Sequence, residues 1–216
     1  MTSRTPAEVD ALHGVANQLR TAAGSPCAAN GAVLPALALI TDTERLPDPL
    51  PAANNLPPGS AVLLRHYDHP HREALAVALG TTCRARGLSL WVAGDAALAA
   101  AAGAEGLHLA EWMVGTWRRG TWRGVVTAAA HSAAAIHAAR RAGVDAVLLA
   151  PVFATGSHPG VATLGVSRAR SLIVAARLPV YLAGGITASN ADQLAGSGAA
   201  GIAALGGLST SGSPKH

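Results

Sequence analysis

One junction recurs three times in this chain and limits the fold more than any other feature. Ala102-Gly103-Ala104-Glu105-Gly106-Leu107-His108-Leu109 matches Ala142-Gly143-Val144-Asp145-Ala146-Val147-Leu148-Leu149, and Ser197-Gly198-Ala199-Ala200-Gly201-Ile202-Ala203-Ala204 is the third copy. Each reads as the end of a helix, a glycine in the left-handed region, a tight loop and then an apolar strand. The copies lie roughly 40 and 55 residues apart, the spacing of βα units and not of a solenoid. After the middle copy the strand breaks at Pro151 and opens into a polar loop with Thr155, Ser157, His158 and Gly160. A buried strand that delivers hydroxyls and an imidazole at its C-terminal end is how α/β enzymes build a site.

Other short apolar runs complete the set. They lie at 36–40, 61–64, 88–92, 124–128 and 179–183, and with the three junction strands they make eight. Helical patterns fill 70–86, 132–142 and 167–176, whereas 44–60 holds five prolines and predicts a short or irregular crossover. The expected fold is a single (β/α)8 TIM barrel of the α/β class, with an open flavodoxin-like sheet as the lesser option. At 216 residues the chain has the length of one such domain. Residues 1–34 read as an N-terminal helix and linker, 35–208 as the barrel and 209–216 as a flexible tail. Thr5-Pro6-Ala7-Glu8 is a capping-box pattern with Pro at the first helical position. Only twelve residues follow the last strand, so the eighth helix is truncated, and the N-terminal helix is expected to cover the gap.

The net charge of +4 and a pI near 9.8 raise the question of nucleic-acid binding. The arginines are scattered singly or in pairs, with no run or stripe, which argues against nucleic acid. Lys215 is the sole lysine, so no strand end can supply a Schiff-base amine. Cys27 and Cys83 have no metal or redox spacing, and free thiols are expected of an intracellular chain. No N-terminal leader and no apolar run long enough to span a bilayer is visible, and the expected location is cytoplasmic.

Candidate site residues follow from the strand ends. Loops after the last two strands hold phosphate in many barrels. Here they carry Gly184-Gly185 and Gly206-Gly207, whose alternative role is merely to make tight turns. Arg65 follows the second strand, where it could pair a phosphate or form a surface salt bridge, and Tyr67 lies beside it. His131 ends the fifth strand, Ser157 and His158 follow the sixth, and His108 inside the fourth reads as structural. No carboxylate pair or HxH spacing marks a metal site, and the acids nearest strand ends are Asp42, Asp95 and Glu111.

Leu39-Ile40-Thr41-Asp42, Leu64-Arg65, Gly106-Leu107-His108-Leu109, Pro151-Val152-Phe153-Ala154-Thr155-Gly156-Ser157 and Ala183-Gly184-Gly185-Ile186 occur in the order seen in a known family. Over about residues 35–208 the chain resembles the thiamine phosphate synthase and TenI-type thiazole tautomerase family. The resemblance implies a (β/α)8 barrel of thiamine biosynthesis acting on a thiazole phosphate, and a homodimer is compatible with it. The synthase joins a pyrimidine pyrophosphate to that thiazole with Mg²⁺ held by two Asp positions. Those positions fall here on Gly94 and Met113, so Asp95 and Glu111 are the replacement ligands if Mg²⁺ binds. Two family lysines are Tyr67 and His158. The tautomerase branch carries a glycine at Gly94 and a histidine that aligns with His131 and moves a proton during aromatisation of a thiazole carboxylate phosphate. The resemblance thus implies His131 as acid/base, Arg65 and Ser157 as further catalytic groups, and Thr155, His158, the four glycines and Tyr67 as phosphate or substrate contacts. A non-catalytic binder of thiamine precursors, with both Asp and both Lys positions lost, is the alternative.

Overall fold

The computed structural model describes residues 5–155, 160–205 and 208. Eight short strands form the barrel: β1 (Leu37–Ile40), β2 (Ala61–Leu64), β3 (Ser89–Ala93), β4 (Gly106–Leu109), β5 (Val125–Ala130), β6 (Ala146–Leu149), β7 (Val180–Ala183) and β8 (Gly201–Ala204). Each pairs in parallel with the next, and β8 pairs with β1 to close the sheet. The helices are α1 (Pro6–Ala22), α2 (Leu50–Asn54), α3 (Arg72–Arg86), α4 (Ala96–Ala101), α5 (Ala133–Arg141) and α6 (Gly165–Ala176). Single 3-10 turns stand at Glu111–Met113 and Ala191–Leu194. No helix among the described residues is long and apolar enough to cross a membrane, and both cysteines are free thiols.

Strands buried on both faces must be apolar at every position. Outward-facing Leu39, Val62, Leu64, Leu90, Val92, Leu107 and Leu109 join the layer under the helices, while Ala38, Ile40, Leu63, Trp91, Leu148 and Tyr181 fill the interior. Trp91 and Tyr181 meet edge to face inside the barrel, with ring centroids 5.8 Å apart. A Cβ on Gly106 would stand 2.3 Å from the Trp91 ring, and one on Gly201 would stand 2.9 Å from the Tyr181 ring. Glycine at the start of β4 and of β8 therefore makes room for the aromatic plug. Farther along the same strands as Trp91 and Tyr181 the side chains shrink to Ala93 and Ala183 toward the C-terminal mouth.

The capping box at Thr5 and Glu8 starts α1, and its buried face is Val9, Leu12, Ala16 and Leu19. α1 packs on β1, β8 and the 3-10 turn at 191–194, the flank that a helix after β8 would cover. The expected flexible tail, 209–216, lies outside the described residues.

The three junction glycines have φ of +65°, +72° and +81°, as the repeat predicted. The third copy differs in what precedes it. A four-residue 3-10 turn stands where a helix was expected, because Gly196 takes φ +67° two residues after that turn ends. β5 runs to Ala130, two residues beyond the expected end, and so sets His131 directly at the mouth. The proline-rich 44–60 stretch contains the one-turn α2.

Beneath the barrel the linker folds back as a plug, with Ala28 and Leu34 buried among the interior side chains. Asp145, 8% exposed, pins it. Its carboxylate accepts from Ala29 N at 2.8 Å, Val126 N at 2.7 Å and Arg119 Nη2 at 2.9 Å. One side chain thus ties the linker, β5, β6 and the β4–β5 crossover together.

Candidate active site

Because all eight strands run parallel, the residues that follow them open at one mouth. One close polar pair there joins the ends of β4 and β5. The 3-10 turn after β4 presents Glu111, and His131 is held between the end of β5 and Ser132, which caps α5 by accepting from Ala135 N. Glu111 Oε2 accepts from His131 N at 3.0 Å and from His131 Nδ1 at 2.7 Å. An ionised carboxylate only accepts, so the ring proton in this pair sits on Nδ1. Both side chains are nearly half exposed.

Arg65 leaves β2 beside a polar clasp. Leu46 O accepts from His66 Nε2, so the neutral ring accepts from the Thr41 hydroxyl at Nδ1, 2.7 Å away. Thr41 Oγ1 in turn accepts from Arg65 N at 3.0 Å. Burial keeps His66 below the ordinary histidine range. The Arg65 guanidinium is 3.8 Å from Asp42, whose carboxylate is bonded at 2.9 Å to Arg45. That bond to Arg45 holds Asp42 down at about 2. Arg65 and Tyr67 line one cavity of about 300 Å³ with Asp42 and Asp68.

Tyr67, Gly94 and Met113 form a patch where the two Asp positions were expected. A Cβ on Gly94 would come 3.2 Å from Tyr67 Cε1 and 3.7 Å from Met113 Sδ. Arg72 lies 5.5 Å from the Tyr67 ring centre and donates to Ala93 O. The replacement ligands are committed elsewhere. Asp95 Oδ1 caps α4 by accepting from Leu98 N at 2.8 Å, with Arg72 4.0 Å from its other oxygen, and Glu111 is bonded to His131. No group of three metal-ligating side chains converges among the described residues. An aromatic–thioether patch is a poor donor set for Mg²⁺, which takes oxygen ligands in octahedral geometry. The residues present do not fit that ion.

Gly184 and Gly185 have φ of +88° and +68°. A Cβ on Gly185 would lie 2.3 Å from Ala154 O, and one on Gly184 would lie 2.7 Å from Pro151 Cα. The β6 and β7 loops therefore press together at this pair, with Thr155 next along the chain. Asn190 braces the turn, donating to Gly185 O and accepting from Thr187 N, both at 2.9 Å. Among the described residues, none accepts from the N–H of Gly185 or Ile186. Ser157, His158, Gly206 and Gly207 lie outside the described residues.

His108 is a core residue, 4% exposed, with Nδ1 sharing a 2.9 Å hydrogen bond with the Thr127 hydroxyl. Burial, reinforced by the nearby Arg65 charge, pushes it down to about 3. The unfolded chain protonates this ring near pH 6.5, whereas the folded chain does so only near 3. Stability is thus full above pH 6.5 and falls as pH drops through that window. Urea melts at pH 7.5 and pH 5 are expected to differ by about 2 kcal/mol from this group. His108→Gln should flatten that dependence, and an unchanged slope would show that the ring is not buried as a neutral base.

The sequence reading missed three of these features, namely the Glu111–His131 bond, the Thr41–His66 clasp and the Asn190 brace. Each joins residues whose side-chain directions depend on loop geometry.

The family profile described as thiamine monophosphate synthase matches residues 37–208. The chain belongs to that family. It is similar to the thiamine-phosphate synthase of Chlorobium luteolum, 33% identical over 190 residues, 84% of this chain and 89% of the relative. It is also similar to that of Methanoculleus marisnigri, 36% identical over 115 residues, which is 50% of this chain and 53% of the relative. In fold it resembles the thiamine phosphate pyrophosphorylase of Pyrococcus furiosus, with a TM-score of 0.69 at 22% identity, covering 80% of this chain and 85% of the other. Within the thiamine monophosphate synthase family the curated relatives named here are synthases.

Proposed function

We propose that this chain moves a proton on a thiazole phosphate, aromatising a thiazole carboxylate phosphate, with His131 as the acid/base. The observation that carries the reading is the 2.7 Å bond from His131 Nδ1 to Glu111. A carboxylate that fixes the tautomer and orientation of an imidazole is the working arrangement of a general base. In the step, His131 Nε2 takes a proton from a ring carbon and the electron pair enters the ring system. A proton is returned at the far end of the conjugated atoms, so the substrate's atoms balance. The N–H groups of Gly185 and Ile186 hold the phosphate together with Thr155, and Arg65 adds charge. Ser157, His158, Gly206 and Gly207, expected from the sequence to take part, lie outside the described residues. The substrate is a small cytoplasmic metabolite.

Synthesis of thiamine phosphate is the second reading, favoured by the synthase relatives. It needs neutralisation of a leaving pyrophosphate, and the acids that could help hold an ion are engaged by Arg72, Leu98 N and His131. The experiment supplies the purified chain separately with the non-aromatic thiazole carboxylate phosphate and with the pyrimidine pyrophosphate plus thiazole phosphate. Ultraviolet absorbance and chromatography identify the product. Aromatic thiazole from the first mixture supports the proposal. Thiamine phosphate from the second, with no aromatisation in the first, overturns it.

A further inference from the structure

A cavity of about 490 Å³, larger than the one beside Arg65, opens on the flank of the barrel between the β4–β5 crossover and α5. In a (β/α)8 barrel that crossover ordinarily carries a helix lying beside its neighbour. Residues 114–124 contain no helix here, and the small side chains Ala134, Ala138 and Ala142 are left as one wall. Buried Val114 and half-buried Trp117 make the other.

The rim is basic. Arg118, Arg119 and Arg141 line the cavity together with His137, and among the described residues no Asp or Glu does. Arg119 is already committed, donating to Gly124 O and Gly143 O and to the Asp145 carboxylate. Arg118 spends only Nη1, on Gly115 O and Trp117 O, which steadies the side chain and leaves the rest of its fork. Arg141 and His137 stand one turn apart on α5, and neither makes a hydrogen bond or ion pair within the described residues. Three donors without a counter-charge thus surround a concave space with an aromatic wall. The segment itself repeats the pattern, Thr116-Trp117-Arg118-Arg119-Gly120 followed by Thr121-Trp122-Arg123-Gly124.

We propose that this cavity binds a phosphate-bearing small molecule of nucleotide type, its anion on Arg118, His137 and Arg141 and its planar body against Trp117. Guanidinium forks match phosphate oxygens in pairs. The volume falls within the 300–1,000 Å³ typical of small-ligand sites. An extended stacking surface for a nucleic acid would need successive free rings, but Trp117 and Trp122 both rest partly on the core, Trp122 donates its indole N–H to Val125 O, and the exposed Trp112 does not line the cavity. The proposal goes beyond the reaction at the mouth and does not depend on it.

The test titrates the full chain with ATP and, separately, inorganic pyrophosphate at constant ionic strength, reading tryptophan emission and heat. Saturable binding that weakens at least tenfold in the R118Q/R141Q double variant, whose circular dichroism is unchanged, is expected. Trp117→Phe should remove most of the emission change while heat is still released. Several outcomes would overturn the site. These are no saturable heat, affinity unchanged in the double variant (as it would be for pyrophosphate held at the mouth), or equal loss on adding sulfate at matched ionic strength. Single-stranded RNA binding more tightly than ATP would assign the surface to nucleic acid instead.

Discussion

His131→Asn is expected to lower the turnover number for thiazole aromatisation by about 10²- to 10⁴-fold, the range lost when a positioned acid/base is removed. Nearly half of this side chain is in contact with solvent, so the substitution should leave the fold intact. Asn preserves a polar group of similar reach but cannot exchange a proton at the working atom. Glu111→Gln is the companion change. It keeps an acceptor for Nδ1 but removes the charge that favours the imidazolium during transfer, so a smaller loss of about tenfold or more is expected. Both effects should fall on kcat and leave KM nearly unchanged, because neither residue is assigned to the phosphate. Steady-state kinetics with circular dichroism as the folding control checks this. Activity within twofold of wild type in His131→Asn would remove the residue from the mechanism.

The second large effect is on stability. Asp145→Ala is expected to destabilise the chain by about 1–3 kcal/mol, chiefly the cost of leaving the buried Val126 N–H without its acceptor. The three donors that lose their acceptor are Ala29 N, Val126 N and the Arg119 guanidinium. Val126 N lies within the barrel wall, where water cannot replace the carboxylate, and Val126 is fully buried. For a domain of this size the change corresponds to a fall in Tm of about 5 °C or more. Asp145→Asn should lose less, since its amide still accepts from one backbone donor. A thermal melt of Asp145→Ala within 2 °C of wild type would show that the staple under the barrel carries no weight.

Local chemistry made the barrel readable from the chain. The junction glycines at 103, 143 and 198 mark where helices must stop, and four-residue apolar runs behind them can only be strands buried on both faces. The capping box at Thr5 and Glu8 marked where α1 begins. The third junction misled because its glycine obeys the same rule after a 3-10 turn as after a helix. At the mouth, His131 could be found because its strand ends there. Its partner could not, since Glu111 sits 20 residues earlier in an irregular crossover whose direction no periodicity describes. Asp95 looked like a ligand from its position, yet its carboxylate is taken by the first turn of α4. Gly184 and Gly185 answered two needs together, close packing against Pro151–Ala154 and N–H groups without a described acceptor, and sequence alone cannot separate these.

The most direct measurement of a metal-independent proton transfer at this mouth is the rate of thiazole aromatisation after exhaustive dialysis against EDTA, assayed with and without added Mg²⁺. Equal rates in the two arms are expected, because the imidazole and carboxylate supply the acid–base chemistry themselves. A rate that collapses after dialysis and returns with Mg²⁺ would contradict the account.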